Sequence, residues 1–334
     1  MKFERMSFVA LAFSLVLVNS AISRTVEAQQ IWRATLGAHN KDMGKQVIAF
    51  LPNELWIHAG DSITWTSASG DIHTVSFFIA GQAVNDFTVG CPGYAPSGSS
   101  FDGSTCISAP PLNMGQDFTV KFPKAGNYKL ICLVHPHMTG VVHVLAASAA
   151  LPHDQNFYDQ QAADQLHNLL TDTDHNHAGG EMDDMLSAKV LPGNAVVAGT
   201  GEINATAGGF QSLSVARFLN GTIEIHAGET VEWTVLDPAL PHTITFGPDP
   251  ANPGPPSANV KVDADGGLHA TLNAPGDTVH SGVIGAVPMN QVGVAQSPAT
   301  IPVFRVTFKQ PGTYDYKCAL HDTLGMVGKV VVKP

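Results

Sequence analysis

The chain has 334 residues, of which 44% are apolar and 13% charged, enough for two domains of ordinary size with packed cores. A formal net charge of -11 disfavours nucleic acid as a partner. Residues 1–28 read as a secretory leader: Lys2 and Arg5 precede the apolar run Phe8 to Val18, and Val26-Glu27-Ala28 ends in a small residue. That run is too short for a membrane span, and no later stretch is apolar enough to cross a bilayer, so the processed chain is expected to be secreted or periplasmic and not integral to a membrane. Cleavage would remove Lys2, Arg5 and Arg24 against Glu4 and Glu27, leaving a slightly more negative protein.

After the leader, short strand-like runs bounded by Gly, Pro, Asn or Asp follow one another, as in an all-β sandwich. The first series is Ile31–Gly37, Gln46–Leu51, Glu54–Ile57, Ser62–Thr66, His73–Ile79, Asp117–Phe122, Asn127–Cys132 and Gly140–Leu145. Asp154 to Leu170 has helical composition, with Phe157, Ala162, Leu166 and Leu170 near i, i+4 spacing. The polar stretch after it carries Asp172, Asp174, His175, His177, Glu181, Met182 and Asp183 and reads as a solvated linker. A second series then runs Ala195–Ala198, Leu213–Phe218, Thr222–Ile225, Thr230–Val235, His242–Phe246, Val303–Phe308, Thr313–Cys318 and Gly328–Val332. The expected organisation is a leader at 1–28, a domain at 29–150, a linker with a short helix at 151–190 and a second domain at 191–334. Insertions at 80–116 and 247–300 are expected to carry recognition surfaces.

The two series nearly repeat each other. Ile57-His58-Ala59-Gly60-Asp61 through Trp65 matches Ile225-His226-Ala227-Gly228-Glu229 through Trp233. His73-Thr74-Val75-Ser76-Phe77 matches His242-Thr243-Ile244-Thr245-Phe246. Phe122, Gly126 and Tyr128 lead to Cys132 with the spacing by which Phe308, Gly312 and Tyr314 lead to Cys318. Each half therefore offers one early His, then Cys, His and Met in a single late loop: His73, Cys132, His135 and Met138; His242, Cys318, His321 and Met326. Two imidazoles, a thiolate and a weak thioether form the ligand set of a mononuclear electron-transfer copper site. Thiolate and thioether suit Cu(I), and imidazole suits both oxidation states. The expected cofactor is two type 1 coppers per chain. His58 and His226 recur as framework residues with a strand-end hydrogen bond, and His137 is read as a solvent-facing neighbour of the first site.

Both halves resemble the cupredoxins, the blue-copper family, over nearly the whole mature chain. Cys132-x-x-His135-Pro136-x-Met138 is similar to the short ligand loop of amicyanin, and Cys318-x-x-His321 with four residues before Met326 is similar to plastocyanin and pseudoazurin. The resemblance implies tandem Greek-key β-sandwiches and an electron carrier. It also implies that Tyr128 and Tyr314 pack structurally in the turn before each cysteine strand. His135 and His321 would reach the surface as electron ports. Cys91 and Cys106 remain once the two ligand thiols are set aside, and in an oxidising compartment they are expected to form a disulfide.

Oxidases and nitrite reductases also stack such domains, but they couple a second copper centre through a His next to the ligand Cys. Here Ile131 and Lys317 hold those positions. The reading is therefore a carrier and not an enzyme, docking to a redox protein: a basic cytochrome-like one, or a copper or quinone enzyme. Copper trafficking or tolerance is the alternative. Unequal loops, with Met138 three residues after His135 and Met326 five after His321, predict two unequal coppers. Asp322, beside His321, is expected to favour the oxidised site slightly.

Overall fold

In the computed structural model, residues 29–82, 91, 93–135, 137–171, 193–286 and 302–334 are described. The leader, the polar stretch from 172 and the end of the second insertion lie outside them.

The first series forms β1 (Ile31–His39), β2 (Lys45–Leu51), β3 (Glu54–His58), β4 (Ser62–Ser67), β5 (Ser76–Phe77), β6 (Ser99–Ser100), β7 (Ile107–Ser108), β8 (Asp117–Lys121), β9 (Gly126–Ile131) and β10 (Thr139–Leu145). Helix α1 (Gln155–Thr171) follows. The second series forms β11 (Ala195–Thr206), β12 (Gly209–Leu219), β13 (Thr222–His226), β14 (Thr230–Thr234), β15 (Thr245–Phe246), β16 (Lys261–Val262), β17 (Leu268–Leu272), β18 (Val279–His280), β19 (Val303–Phe308), β20 (Gly312–Lys317) and β21 (Val327–Lys333). Among the described residues the fold is all-β with one α-helix, arranged as two β-sandwiches. The insertions contribute β6, β7 and β16 to β18, which extend the sheets at their edges.

Each sandwich has its own five-stranded sheet, in the orders β3-β10-β9-β5-β7 and β13-β21-β20-β15-β18. The opposing layers of the two sandwiches merge into one sheet of eleven strands, β16-β17-β19-β14-β11-β12-β2-β1-β4-β8-β6. The junction is β2 against β12, antiparallel, with Ile48 opposite Ser212 and Gln46 opposite Ser214. These are counterpart strands of the repeat, so the contact has the self-complementary form of a two-fold interface, and each closes the other's open edge.

Alternation explains what lies on each side of the junction. Ile48 and Phe50 of β2 point into the main core, whereas Val47, Ala49 and Leu51 point outward beneath α1. There they meet Leu169 of the helix and Leu213 of β12. Asp154 caps the helix by accepting from Phe157 N (2.9 Å), and Tyr158 is fully buried with its hydroxyl accepting from Trp56 N (2.9 Å). Helix α1, at the start of the segment read as linker, therefore braces the joint. Among the described residues no helix is long and apolar enough to cross a membrane.

Candidate metal centres

Each late loop folds back on its cysteine. Cys132 N donates to Met138 O and Cys318 N to Met326 O, both at 3.0 Å, which closes each loop onto its cysteine strand. The early histidines lie just before β5 and β15, the strands that pair with β9 and β20, and His73 and His242 are held by isolated bridges to Leu112 and Ile284. In the first centre, His73 Nδ1 and His135 Nδ1 lie 3.0 Å apart and stand 3.9 and 3.7 Å from Cys132 Sγ. In the second, His242 Nδ1 and His321 Nδ1 lie 3.2 Å apart and stand 3.9 and 3.4 Å from Cys318 Sγ. Metal–nitrogen bonds of about 2.0 Å and metal–sulfur bonds of about 2.3 Å leave donors at roughly such separations, so each triangle fits one ion. Among the described residues these are the two groups of three or more such donors that can hold a metal. Met138 and Met326 are fully buried in the same loops.

The electrostatics favour the thiolate. Burial raises the pKa of Cys132 and Cys318, but hydrogen bonds and charge from their paired histidines hold both well below the ordinary thiol value. Burial likewise opposes protonation of His135 and His321, yet nearby carboxylate and thiolate raise them to about 9 and about 10. The thiolate form of each cysteine is thus favoured by its neighbouring imidazoles. Copper, where bound, would take the place of protons on the Nδ1 atoms and offset the charge of the thiolate. Thr74 N and Thr243 N approach the sulfurs at 3.4 and 3.3 Å, while each threonine hydroxyl accepts from the residue after the cysteine at 2.7 Å. That pair of His-Thr steps was visible in the sequence, but its role was not.

Other supporting residues escaped the sequence reading. Gly37 and Gly199 sit at bulges in β1 and β11, with φ of 60° and 75°. A Cβ on Gly37 would lie 2.6 Å from His73 Nε2, and one on Gly199 would lie 2.1 Å from His242 Nε2. The bulge glycine is what lets the first histidine of each centre stand upright. Asp237, fully buried, faces His242 Nε2 at 3.3 Å and accepts from Ser214 Oγ, Ala239 N and Leu240 N.

The expected surface ports are not at the surface. His135 is 1% exposed and His321 2%. The tip of the β11–β12 hairpin covers the first loop: Phe210 N donates to Thr139 Oγ1 (2.9 Å), and the Phe210 ring meets the His137 ring edge-on at 5.7 Å. His137 is therefore an inter-sandwich contact and not a solvent-facing residue. On the other side, Arg217 of β12 donates to Leu324 O and Asp42 O, both at 2.6 Å, and ties the second loop to the β1–β2 turn. Both histidine Nε2 atoms point instead at Asp71, whose charge His135 and His321 stabilise strongly enough to overcome burial and hold its pKa well below the usual range. Asp322, expected to act on the second centre, is turned toward Lys317 Nζ (3.0 Å).

The remaining expectations divide. Cys91 and Cys106 form a disulfide. Tyr128 and Tyr314 donate to Lys124 O and Gln310 O at 2.9 Å, fixing the turn before each cysteine strand. The bond shared by His58 and His226 is made by the backbone: each N donates to the turn carboxylate three residues on, Asp61 or Glu229. The His58 ring adds a contact to Ala149 O, whereas the exposed His226 ring faces Glu229 at 3.8 Å. His175 and His177 lie outside the described residues, as does Pro136.

The model of copper-binding proteins of the plastocyanin/azurin family matches residues 37–145 and 299–333. Plastocyanin of Ginkgo biloba is 31% identical over 29% of this chain and 88% of its own length. Amicyanin-alpha of Methylorubrum extorquens is 28% identical over 40% of this chain and 98% of its own. Chloroplastic plastocyanin of Fritillaria agrestis is 29% identical over 34% of this chain, and the chain spans about half, 51%, of that relative's length.

Proposed function

The chain belongs to the plastocyanin/azurin family of copper-binding proteins, and from that premise we propose a carrier with two blue coppers, each moving one electron at a time. His73, Cys132, His135 and Met138 hold one copper; His242, Cys318, His321 and Met326 hold the other. The observation that carries this reading is the pair of fully buried His-Cys-His groups, each with its donor atoms within 4.8 Å of one another. When bound, copper supplies a one-electron couple between Cu(I) and Cu(II) in a site whose ligands suit both states.

The protein's part is to keep the donors fixed while the electron count changes. Gly37 and Gly199 leave room for His73 and His242, and Asp237 orients the second of these. The backbone N–H groups of Thr74 and Thr243 point at the thiolates, where hydrogen bonding tunes the couple. Burial of the ligand histidines excludes water and disfavours free metal exchange, which weighs for a carrier over a trafficking protein. The partner is a redox protein, and the acidic balance suits a basic, cytochrome-like surface or a copper or quinone enzyme. Export to a periplasmic or extracellular space rests on the leader-like residues 1–28, and it agrees with the Cys91–Cys106 disulfide.

Metal counting with visible and electron-spin-resonance spectra of the copper-loaded protein tests the reading. Two coppers per chain with thiolate-to-copper absorption at both centres are expected. A third tightly held copper with an imidazole-only spectrum would replace the carrier with an oxidase-like enzyme.

A further inference from the structure

One oxygen of one side chain touches both centres. Asp71 Oδ2 lies 3.2 Å from His135 Nε2 and 3.4 Å from His321 Nε2, and each of these rings contributes its Nδ1 to a different cluster. The remaining oxygen, Oδ1, accepts from Ile72 N at 2.7 Å, so the carboxylate is held at both ends. We propose that Asp71 is the bridge through which an electron passes between the two copper centres within a single chain. The proposal rests on the two-copper reading above.

The surroundings are built to hold this contact. The loop carrying Asp71 is anchored on the buried Gln46 of the junction strand, whose Oε1 accepts from Ser69 Oγ and Gly70 N, both at 3.1 Å. Ser69 Oγ in turn accepts from Asp71 N at 3.1 Å. Gly70 lets the loop press against the second ligand loop: a Cβ there would come within 2.7 Å of Leu324 Cδ2 and Met43 Cε. Arg217 holds Leu324 from the other side. The Asp71 side chain is 15% exposed and the two rings nearly inaccessible, so water does not compete for the Nε2 atoms. Counting back from the ligand histidine, Leu240 stands where the first half has Asp71, so the repeat supplies one bridge and not a reciprocal pair.

With the metal on Nδ1, each ring keeps its proton on Nε2 and donates it to Asp71. The path from one centre to the other is then bonds within two imidazoles and two hydrogen bonds on one oxygen. An electron lost at the Cu(I) of one centre would be gained by the Cu(II) of the other across the two imidazoles and Asp71, so the exchange would balance. No bond breaks and no proton leaves.

The test is pulsed, sub-stoichiometric reduction of the doubly oxidised protein, followed by absorbance and by freeze-quenched spin resonance, with Cys132→Ser and Cys318→Ser supplying the spectrum of each centre alone. The wild type should show a redistribution phase whose rate is independent of protein concentration. Asp71→Leu should slow that phase by on the order of tenfold or more, while Asp71→Asn, which keeps an accepting oxygen, should retain an intermediate rate. Copper content and thiolate absorption should stay at the wild-type level in Asp71→Asn, which separates the bridge from site assembly. A rate unchanged in both Asp71 variants, or no such phase in a wild type holding two blue coppers, would overturn the bridge and leave the carrier reading intact. A wild type without two blue coppers would overturn both.

Discussion

The two centres use the same donors in nearly the same triangle, and they differ in what stands behind the early histidine. His242 Nε2 faces the buried Asp237 carboxylate, whereas His73 Nε2 is buried with no hydrogen-bond partner. Both late histidines share Asp71. The second centre thus has one more carboxylate behind its imidazoles. Negative charge there favours the more positive Cu(II), and a carboxylate behind a ligand histidine raises its basicity. The comparison sets a direction: the Cys318 centre should be the easier to oxidise, so an electron crossing Asp71 should come to rest on the Cys132 centre. Unequal loop length had suggested inequivalence, but the outer partners give it a sign.

The sharpest way to isolate each half of the comparison is to remove its sulfur. Cys132→Ser and Cys318→Ser should each abolish the thiolate band of one centre, about half the colour of the loaded protein, with metal content and visible absorption as the readout. Loss of the whole band in either variant would mean that the centres do not assemble independently.

Next come the bulge glycines. Gly199→Ala would place a methyl 2.1 Å from His242 Nε2 at a φ of 75°, so the ring must leave its position. Absorption of the Cys318 centre should fall while that of the Cys132 centre persists, and Gly37→Ala should do the reverse. Full retention of both bands after Gly199→Ala would mean that the histidine can reorient freely and that the bulge is not what sets it upright.

The division between what was readable in the sequence and what was not follows the range of the interactions. Strand positions, the tyrosine turns and the sets His73-Cys132-His135 and His242-Cys318-His321 follow from local spacing repeated twice in one chain. The junction does not. Residues Gly199–Gly209 are rich in Gly, Ala and Thr, with Ile203 as their one large apolar side chain, so β11 seemed to end at Ala198 although it continues to Thr206 as part of the hairpin that covers the first centre. Asp71 sits in Ser69-Gly70-Asp71, which by composition is an ordinary turn. Its partner His321 is 250 residues away, and no periodicity links them. The surface ports were inferred one domain at a time, and each domain is what buries the other's histidine.

Asp237 gives the direct test of the sign. Asp237→Asn keeps an oxygen toward the Ala239 and Leu240 amides and removes the charge. The potential of the Cys318 centre should rise by on the order of tens of millivolts, where about 59 mV is tenfold in a one-electron equilibrium. Measured by voltammetry in a Cys132→Ser background, the shift should be positive, and the same substitution in a Cys318→Ser background should leave the Cys132 centre nearly unmoved. A negative shift would reverse the direction assigned to the pair.

The smallest effect should come from the acid nearest in sequence to a ligand. Asp322 follows His321 directly, yet its carboxylate lies 3.0 Å from Lys317 Nζ, and the same ammonium lies 2.7 Å from Asp249. The Asp322 side chain is 25% exposed, so solvent and salt screen what charge remains. Asp322→Asn should therefore shift the Cys318 potential less than Asp237→Asn does, and raising ionic strength should shrink the Asp322 effect while leaving that of the buried Asp237 largely intact. Equal shifts from the two substitutions would mean that burial and orientation toward the imidazole do not matter, and that the centres differ only by the total charge around them.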